Sequence, residues 1–568
     1  MWITYSALIF ALTRASAFTA AYGPDVCQST QSECLTPDEA ASDSGSSQHT
    51  AKLRWTANTS ELAHLNQFSV SCKTLLETFP VDEIDGNFVR TVKRCIFSRS
   101  IPTPLKGPLR LAAVSKDVIE GILDLNFDVT QSDDFLHLAS GGRLLTGSVP
   151  LAHRYGGHQF GYWAGQLGDG RAHLLGRYSN RSGDGRAVIR SSVREFLCSE
   201  AMHSLGVPTS RAASLIVSEE PVMRDQFYNG NVKKERGAVV LRLAKSWFRI
   251  GSLEILAESG ETDLLRKLLN FVIDEHFPLI SSDDPEKYLV FFSTVVTETA
   301  GLIAQWMSVG FAHGVCNTDN FSLLSITVDY GPFGFMESYD PDFIPNSSDD
   351  EGRYRIGAQA DVGLFNLQKL LEAVRPVLTH TQQEQATVIL HGYADVYQKR
   401  IHQIFRSKLG LLGEEEEEEE DRYLVAFLLK MMEDTHSDFT MTFRQLSEAS
   451  AEQLRSRNFT QLWALDDLSS HQFFSEWLHM YLLRLSRQIN DSDLDRQLRM
   501  KSVNPRYVLR NWMAESAIRK AEANDFSEVE LLHHILSSPF VTQETAEEAG
   551  YAARPPLWAQ RLKVSCSS

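Results

Sequence analysis

The sequence predicts an α+β fold, because strand-like and helix-like segments occupy different parts of the chain. The segment LIAQWMSVG, residues 302–310, has apolar residues at helical spacing. Phe321 to Val328 then alternates apolar and hydroxyl residues with the period of a half-buried strand. Residues 190–206, RSSVREFLCSEAMHSLG, again show helical spacing. Several segments after residue 422 keep the same period, which predicts a helical C-terminal region.

The segment HGVCNTDNFSLLSITVD, residues 313–329, contains the first candidate site. We expect a tight hairpin that turns at residues 324–325 and brings Asn320 and Asp329 together. Mg²⁺ takes hard oxygen ligands, one or two from the protein and the rest from water and phosphate. This pair is therefore a candidate metal site, and Asp319 is left as a candidate base. Asp and Asn in a loop are also common turn formers, and that alternative applies to the motif taken alone.

The sequence G-D-G-R occurs twice, at Gly168 to Arg171 and at Gly183 to Arg186. An Asp-Gly pair between apolar runs is typical of a hairpin turn. A glycine turn with exposed amides beside a fixed cation can also cradle phosphate. Both interpretations, plain turn and phosphate site, are open for these residues.

The second copy leads into the predicted helix of residues 190–206. Ser191 or Ser192 can cap its start, and Gly206 with Pro208 marks its end. Glu195 is expected in the first turn, where a carboxylate alone is typical of a surface charge favoured by the helix dipole.

Two arginines, Arg242 and Arg249, flank part of the strand-like segment VVLRLAKSWFRIGSLEIL. Taken singly, such arginines are more often surface residues than ligands. They become candidate ligands only when they are considered together with the other candidate residues.

Together these residues resemble the selenoprotein O family, from about Phe79 to Ser568. The resemblance rests on six ordered blocks: GGHQFGYWAGQLGDGRA, SGDGRAVIRSSVREFLCSEAMHSLGVPTSRA, HGVCNTDNFSLLSITVDYGPFGF, YDPDFIPNSSDDEGRY, NPRYVLRNW and VSCSS. It implies a bilobal, protein-kinase-like fold with a helical C-terminal extension. It also implies transfer of AMP from ATP to protein hydroxyls, with Mg²⁺ or Mn²⁺ as cofactor.

The resemblance implies a role for each candidate. Asp319 becomes the catalytic base, and Asn320 and Asp329 become metal ligands. Glu195 corresponds to the helix glutamate of kinases. The ATP site, with the nucleotide flipped so that its α-phosphate is exposed, is lined by Gly168, Gly170, Arg171, Asp184, Gly185, Arg242 and Arg249 together with Asp329.

One departure from the family is large. Family members carry a Q-L-K-G-like strand between the two glycine turns, and its lysine pairs with the ATP phosphates and the helix glutamate. Here LLGRYSN runs directly into RSGDGR, and no lysine lies between Lys116 and Lys233. We expect Glu195 to lose its partner and turnover to fall, with Arg171 or Lys245 as partial substitutes. A lost exon and a tolerated deletion are both open.

Smaller departures concern the hairpin and the tail. Ser325 stands where the family has glycine, and Pro345 and Ser347 replace residues that are often cysteine and histidine. Cys566 occupies the selenocysteine position of animal members, and Lys563 stands where a cysteine partner would be. A redox pair inside this tail is therefore not expected.

Composition describes a soluble globular protein of 568 residues, 43% of them hydrophobic. The net charge of −18 argues against nonspecific binding to nucleic acid or anionic membranes. The run Glu414 to Asp421 holds eight of the acidic side chains and predicts a solvated, disordered loop. The seven cysteines show no metal-ligand spacing, and we expect Cys198 and Cys316 to be buried free thiols.

The first 24 residues contain no acidic side chain and begin with the apolar stretch MWITYSALIFALTRASAF. Its A-S-A pattern is similar to a secretory signal peptide, whereas eukaryotic family members favour mitochondria. We expect a mitochondrial location, with secretion as the alternative. Five segments follow: a targeting segment and linker (1–50), a small lobe with the glycine turns and long helix (51–255), a large-lobe part with the catalytic loop (256–410), the acidic loop (411–422) and a helical C-terminal region with the cysteine-containing tail (423–568).

Two main functional classes follow. The first is an ATP- and Mg²⁺-dependent protein adenylyltransferase that acts on Ser, Thr or Tyr hydroxyls. The second is a nucleotide-binding pseudoenzyme made inactive by the missing lysine, and an ordinary phosphotransferase is a weaker third. The expected partners are ATP and substrate proteins, not nucleic acid or membrane, and a monomer is expected.

Overall fold

Strands and helices are both present, and the strands are concentrated before residue 250. The computed structural model describes residues 62–84, 88, 90–169, 173–175, 187–227, 229–413 and 418–565. The α+β prediction is confirmed, while the kinase-like bilobal arrangement stays a prediction. Predictions for 1–50, Gly170, Arg171, Asp184, Gly185 and Cys566 lie outside the described residues.

The strands form two four-stranded sheets and one two-stranded pair in the described part of the chain. They are β1 (Val81–Asp82), β2 (Phe97–Arg99), β3 (Leu109–Val114), β4 (Leu151–Gln159), β5 (Tyr162–Gly168), β6 (Ala187–Val188), β7 (Arg211–Asp225), β8 (Val232–Leu243), β9 (Phe311–Ala312) and β10 (Gly334–Phe335).

The first sheet has the strand order β1-β2-β4-β5. Strands β4 and β5 are antiparallel, and Gln159 lies opposite Tyr162. The turn between them is therefore only Phe160 and Gly161, which have φ angles of 50° and 89°. Two successive positive φ angles are typical of a type I′ turn, whose twist matches that of the strands it joins.

The second sheet has the strand order β3-β7-β8-β6. Its long β7–β8 hairpin places Arg242, near the end of β8, opposite Ala212. The pair β9 and β10 is antiparallel and lies on either side of the candidate catalytic segment in sequence. This arrangement brings Arg242 onto a rigid strand and not onto a loop.

The helices occupy most of the chain after residue 250. They are α1 (Lys73–Thr78), α2 (Lys116–Gly121), α3 (Asp133–Ala139), α4 (Ile189–Ser204), α5 (Ile250–Glu258), α6 (Thr262–His276), α7 (Lys287–Ser308), α8 (Gln359–Val374), α9 (His380–His391), α10 (Tyr393–Lys408), α11 (Glu418–Thr435), α12 (Phe439–Glu448), α13 (Ala451–Ser456), α14 (Trp463–Ser469), α15 (Phe474–Ser486), α16 (Asp493–Lys501), α17 (Asn511–Glu522), α18 (Ser527–Leu536) and α19 (Glu544–Glu548).

The start of helix α4 differs from the prediction. The helix begins at Ile189, so Ser191 lies inside it and donates its hydroxyl to the Val188 carbonyl over 3.1 Å. The serine caps are wrong because β6 pairs with β8 and leads directly into the helix. Glu195 consequently lies in the second turn, and it is buried, not exposed. The predicted end is confirmed, since Gly206 has a φ of 79°.

The predicted helix before the candidate site is confirmed as the end of α7, but the strand after it is not regular. The turn exists: the Ser325 amide donates to the Ser322 carbonyl over 3.2 Å, and Phe321 forms an isolated bridge with Thr327. Ser325 has a φ of 48°, a conformation that favours the glycine of the family. The strand is interrupted because Thr327 also pairs with Thr209.

The C-terminal helices confirm the predicted periodicity. Periodic segments within residues 421–436, 471–489 and 510–525 form α11, α15 and α17. Trp477 and Tyr481 on α15 are buried and stack with ring centroids 5.1 Å apart. These aromatic side chains are therefore part of the hydrophobic core.

The prediction of a solvated acidic loop is wrong for its last four residues. Residues 418–421 form the first turn of α11. The Asp421 side chain is fully buried and accepts from Arg484 Nε over 2.8 Å, while Arg406 Nε lies 2.7 Å away. A carboxylate in a run of like charges is thus buried because two distant arginines neutralise it.

Among the described residues, one helix, α7, is long and apolar enough to cross a membrane, with 22 residues and a hydropathy of 1.3. More than half of it, 56%, is buried inside the protein, where it packs against α8, α9 and α10. This burial is typical of a core helix. Cys198 and Cys316 are buried free thiols, as predicted.

Candidate active site

The candidate catalytic segment runs from β9 to a short 3-10 turn at Thr318–Asn320. Side chains of the large helical part hold its backbone: the Gln359 amide oxygen accepts from the His313 amide over 2.9 Å, and Asn366 donates to the Cys316 carbonyl over 2.8 Å. The segment is therefore fixed by buried polar contacts, and Asp319 lies at its end.

Asp319 is buried, with 7% of its surface exposed. Burial raises the pKa of its carboxyl to about 6, against the opposing effects of Arg249 and Gln159. Its Oδ2 accepts from Gln159 Nε2 over 3.3 Å, whereas Oδ1 has no hydrogen-bond partner among the described residues. A carboxylate with a raised pKa is suited to accept a proton near neutral pH.

Arg249, at the start of α5, contacts the backbone of Asp319. Its Nη1 donates to the Asp319 carbonyl over 2.6 Å, and its guanidinium lies 4.4 Å from the centre of the Tyr155 ring. Burial opposes its charge, but Tyr155, Asp169, Asp329 and Asp319 together raise its pKa. Its Nε and Nη2 are buried with no hydrogen-bond partner in the part of the chain that is described. The guanidinium thus keeps donors that suit a phosphate oxygen.

Glu195 and Arg242 form an ion pair, which corrects the expectation that Glu195 lacks a partner. Arg242 Nη1 lies 2.8 Å from Glu195 Oε1 and 3.6 Å from Asp329 Oδ1. Glu195 Oε2 accepts from the Tyr330 amide over 2.8 Å. The guanidinium also lies 5.0 Å from the centre of the Trp247 ring. Strand β8 supplies this cation, whereas the predicted substitute Arg171 lies outside the described residues.

Asn320 and Asp329 suit a cation whose other ligands are water and phosphate oxygens. Asn320 Nδ2 donates to the Val315 carbonyl over 3.0 Å, which leaves its amide oxygen as the end that can bind a cation. The Asp329 side chain is 47% exposed. Within the described residues no three His, Cys, Asp or Glu side chains form a metal cage. One amide and one carboxylate oxygen fit a Mg²⁺ ion whose other ligands are phosphate and water.

The first glycine turn is described only at its start. Gly168 ends β5, and the next residue, Asp169, accepts from the His153 amide over 3.2 Å through its carboxylate. Asp169 contributes to the charge around Arg249, a contact that the turn and phosphate-site interpretations of its motif did not predict. Its position in the G-D-G motif is the signal that could have identified it.

The tip of the β4–β5 hairpin was also missed. His158, Gln159 and Phe160 contact the catalytic segment, although GGHQFG suggested no role beyond family resemblance. Sequence patterns fix the hairpin turn but not the surface against which its tip packs.

Comparison with known proteins gives the family. The family model described as protein adenylyltransferase SelO matches residues 103–537. The chain is 41% identical over 510 residues to protein nucleotidyltransferase YdiU of Azoarcus sp. (strain BH72), covering 86% of this chain and 96% of that protein. It is 42% identical over 487 residues to the YdiU protein of Erwinia tasmaniensis, covering 82% and 96%. With the YdiU protein of Myxococcus xanthus, the identity is 40% over 491 residues, covering 83% and 96%.

The chain covers almost the whole length of these relatives, and the family model spans most of the chain. The family assignment therefore does not depend on any single motif. The chain is related to nucleotidyltransferases throughout the region that contains Asp319, Glu195 and Arg242. The chain therefore belongs to the SelO family of protein nucleotidyltransferases.

Proposed function

We propose that this protein transfers AMP from ATP to Ser, Thr or Tyr hydroxyls of other proteins, with Asp319 as the base. The observation that carries the proposal is the buried Asp319 carboxyl, whose pKa burial raises to about 6, beside the donors of Arg249. A bilobal, kinase-like fold accompanies the proposal. The finer points, the AMP group and the hydroxyl acceptor, follow from the family resemblance.

The proposed step is a displacement at the α-phosphorus. The acceptor hydroxyl gives its proton to Asp319, and its oxygen forms a bond to the α-phosphorus. The bond from that phosphorus to the oxygen bridging the α- and β-phosphates breaks, and pyrophosphate leaves. Arg242 and Arg249 hold phosphate charge, which is the largest electrostatic task in such a reaction.

Asn320 and Asp329 would hold a divalent metal, for which we propose Mg²⁺, with Mn²⁺ as an alternative. When bound, the metal neutralises negative charge on the phosphates. The chain's own contribution is to fix the two ligands, through the Asn320 contact to Val315 and the turn that precedes Asp329.

A nucleotide-binding pseudoenzyme is the second candidate. It is favoured by one observation, the absence of any lysine between Lys116 and Lys233 in the sequence. The Glu195–Arg242 pair supports the enzyme instead, because a cation still orients the helix carboxylate. We expect transfer to be slow, since Arg242 has to serve both the carboxylate and the nucleotide.

Partners and location complete the proposal. ATP and substrate proteins are the proposed partners, and a monomer without nucleic-acid or membrane binding stays a prediction. A mitochondrial location, or secretion, also stays a prediction, and the compared relatives are bacterial, which gives the mitochondrial alternative no support.

The decisive experiment compares protein labelling from ATP that carries the label on the α-phosphate or on the γ-phosphate. We expect protein labelling from ATP labelled on the α-phosphate and none from ATP labelled on the γ-phosphate. Asp319→Ala should remove the labelling, because the base is lost. Asp263→Ala is the matched control, since that aspartate is fully exposed at the start of α6. Labelling from the γ-phosphate alone would instead show a kinase.

A further inference from the structure

The tip of the β4–β5 hairpin packs on the catalytic segment through three successive residues. The His158 amide donates to Thr318 Oγ1 over 2.7 Å, and Gln159 Nε2 donates to Asp319 Oδ2 over 3.3 Å. The Phe160 amide donates to Asn317 Oδ1 over 3.2 Å. Three neighbouring residues of the hairpin thus meet three neighbouring residues of the segment that carries the base.

Glycine makes this close approach possible. A Cβ atom at Gly157 would lie 2.6 Å from Asp319 Oδ1, and one at Gly251 would lie 2.0 Å from the Gly156 carbonyl oxygen. Both distances are shorter than any non-bonded contact of a carbon atom. The hairpin backbone therefore lies directly against the Asp319 carboxylate, and α5 lies directly against the hairpin.

The two oxygens of Asp319 are both covered by the hairpin. Gly157 lies over Oδ1 and the Gln159 amide lies on Oδ2, so the residue is only 7% exposed. A base has to lie within hydrogen-bond distance, about 2.6–3.2 Å, of the group that gives up its proton. A hydroxyl on another protein does not reach either oxygen while the tip is in this position.

We propose that the hairpin tip, residues 156–161, is a lid over Asp319, and that the acceptor hydroxyl takes the position held here by the Gln159 side-chain amide. Both groups are neutral donors that bind one carboxylate oxygen, so the exchange preserves the hydrogen bond to Oδ2. The inference rests on the proposed function, because it concerns the acceptor of that reaction.

Two features of the hairpin favour movement of its tip. Its strand β5 is the last strand of its sheet in the described part of the chain, so no further strand holds it on that side. Phe160 has a φ of 50°, an uncommon conformation for a bulky residue. The Tyr354 hydroxyl, which accepts from the Phe160 amide over 2.8 Å, helps to hold it. The Phe160 ring also lies 5.2 Å from the Tyr354 ring, so opening of the tip breaks one aromatic contact together with the polar contacts, while it relieves the strain at Phe160.

A second contact joins the hairpin tip to α5. His158 Nδ1 lies 2.6 Å from Glu254 Oε1 on α5, and the His158 ring lies 5.3 Å from the ring of Trp163. Beyond the turn, Tyr162 is 78% exposed. The tip therefore separates a buried side, facing Asp319, from a side open to solvent, from which an acceptor would arrive.

Hydrogen exchange tests the lid without requiring any transfer activity. Gln159→Ala removes the contact to Asp319, and we expect amide exchange in a peptide covering residues 157–161 to rise roughly two- to tenfold. Gln166→Ala is the matched control: it lies in the same hairpin and contacts Val92 and Arg90 instead. Equal exchange in the two variants would overturn the lid.

A second variant should open the hairpin tip by steric crowding and not by the loss of a hydrogen bond. Gly157→Ala places a methyl group against Asp319 Oδ1, where the space is only 2.6 Å, and it should raise exchange in the same peptide. An unchanged exchange rate in this variant also counts against the lid, because the added methyl group leaves no room for the closed position.

The acceptor position is tested with water as the acceptor. Release of AMP from ATP labelled on the α-phosphate should rise in Gln159→Ala relative to the control variant, since water then reaches Asp319. A fall in AMP release together with raised exchange would overturn the acceptor position. If wild type and variants release no AMP, the acceptor position is overturned, while the exchange result still decides the lid and protein labelling decides the proposed function.

Discussion

Buried ion pairs occur both in the candidate site and in the C-terminal helical region, and they differ in how completely they are enclosed. Asp421 is fully buried, with Arg484 at 2.8 Å and Arg406 at 2.7 Å. In the site, Arg242 lies 2.8 Å from buried Glu195 but also 3.6 Å from Asp329, whose side chain is 47% exposed. The first group is sealed by protein, whereas the second opens towards solvent through a carboxylate.

The difference in enclosure indicates that the ion pairs of the two regions have different roles. A sealed pair holds helices together, and removing one member leaves a buried charge without its counter-charge. An ion pair that adjoins an exposed carboxylate can bind a further charged group at a small cost in desolvation free energy. We therefore expect damage to the helical region to appear in stability and damage to the site to appear in ligand binding.

The largest expected effect is in the helical region. Asp421→Ala leaves Arg484 and Arg406 buried without this carboxylate, so we expect a loss of about 3–5 kcal/mol in the free energy of unfolding. Chemical denaturation measures it. Glu420→Ala is the control, because its pair with Arg487 is partly exposed, and it should change stability by no more than about 1 kcal/mol. Equal losses in both variants would contradict the comparison.

The next effect is in the site. MgATP should raise the thermal midpoint, because a ligand that binds only the native state stabilises it, by about 2.7 kcal/mol at a hundred times its Kd. Asp329→Ala should remove this shift while leaving the midpoint without ligand nearly unchanged, since the side chain is half exposed. Removal of the metal by chelation should have the same effect as the variant. A midpoint insensitive to millimolar MgATP in wild type would argue against nucleotide binding.

A third charge in the helical region predicts a pH dependence. Lys408 is buried, with its amino group 4.6 Å from the centre of the Phe443 ring, and burial lowers its pKa to about 7. Between this value and its ordinary value the unfolded chain binds the proton and the folded protein does not, so stability rises with pH. We expect a gain of about 2 kcal/mol from pH 7 to 9. Lys408→Met should flatten this rise in denaturation curves, and an unchanged slope would refute the assignment.

The smallest effect concerns the pair in the site itself. A double-mutant cycle of Glu195→Gln and Arg242→Gln should give a coupling of about 1 kcal/mol in stability. The same cycle measured on the MgATP-induced shift should give a coupling of similar size, because Arg242 also faces Asp329. If the coupling appears in stability alone, the pair is structural, as in the helical region.

Several helices were predictable from the sequence. Apolar periodicity located α11, α15 and α17 and the end of α7, because core-facing residues repeat at the helical period. The helix boundary at Ile189 was not predictable from its serines, since strand β6 reaches the helix start through pairing with β8. Local capping rules describe an isolated helix, and here a sheet contact overrides them.

The candidate site was predicted in part. Asp319, Asn320 and Asp329 follow from oxygen chemistry and family resemblance, and the structure places Asp319 in a buried position suited to a base. The partner of Glu195 was not predicted, because Arg242 is 47 residues away in sequence and no local pattern connects the two. The same holds for Gln159, which reaches Asp319 across 160 residues.

The sequence by itself determined the chemistry available to this protein: oxygen ligands at residues 319, 320 and 329, two arginines at residues 242 and 249, glycine turns and apolar helices. Only the tertiary structure decided which charges meet, that Asp421 is enclosed while Asp329 stays exposed, and that Gln159 covers the base. The physical reason is that burial and long-range ion pairing depend on how distant elements pack. Periodicity and turn chemistry act over a few residues, so they specify each element but not its neighbours.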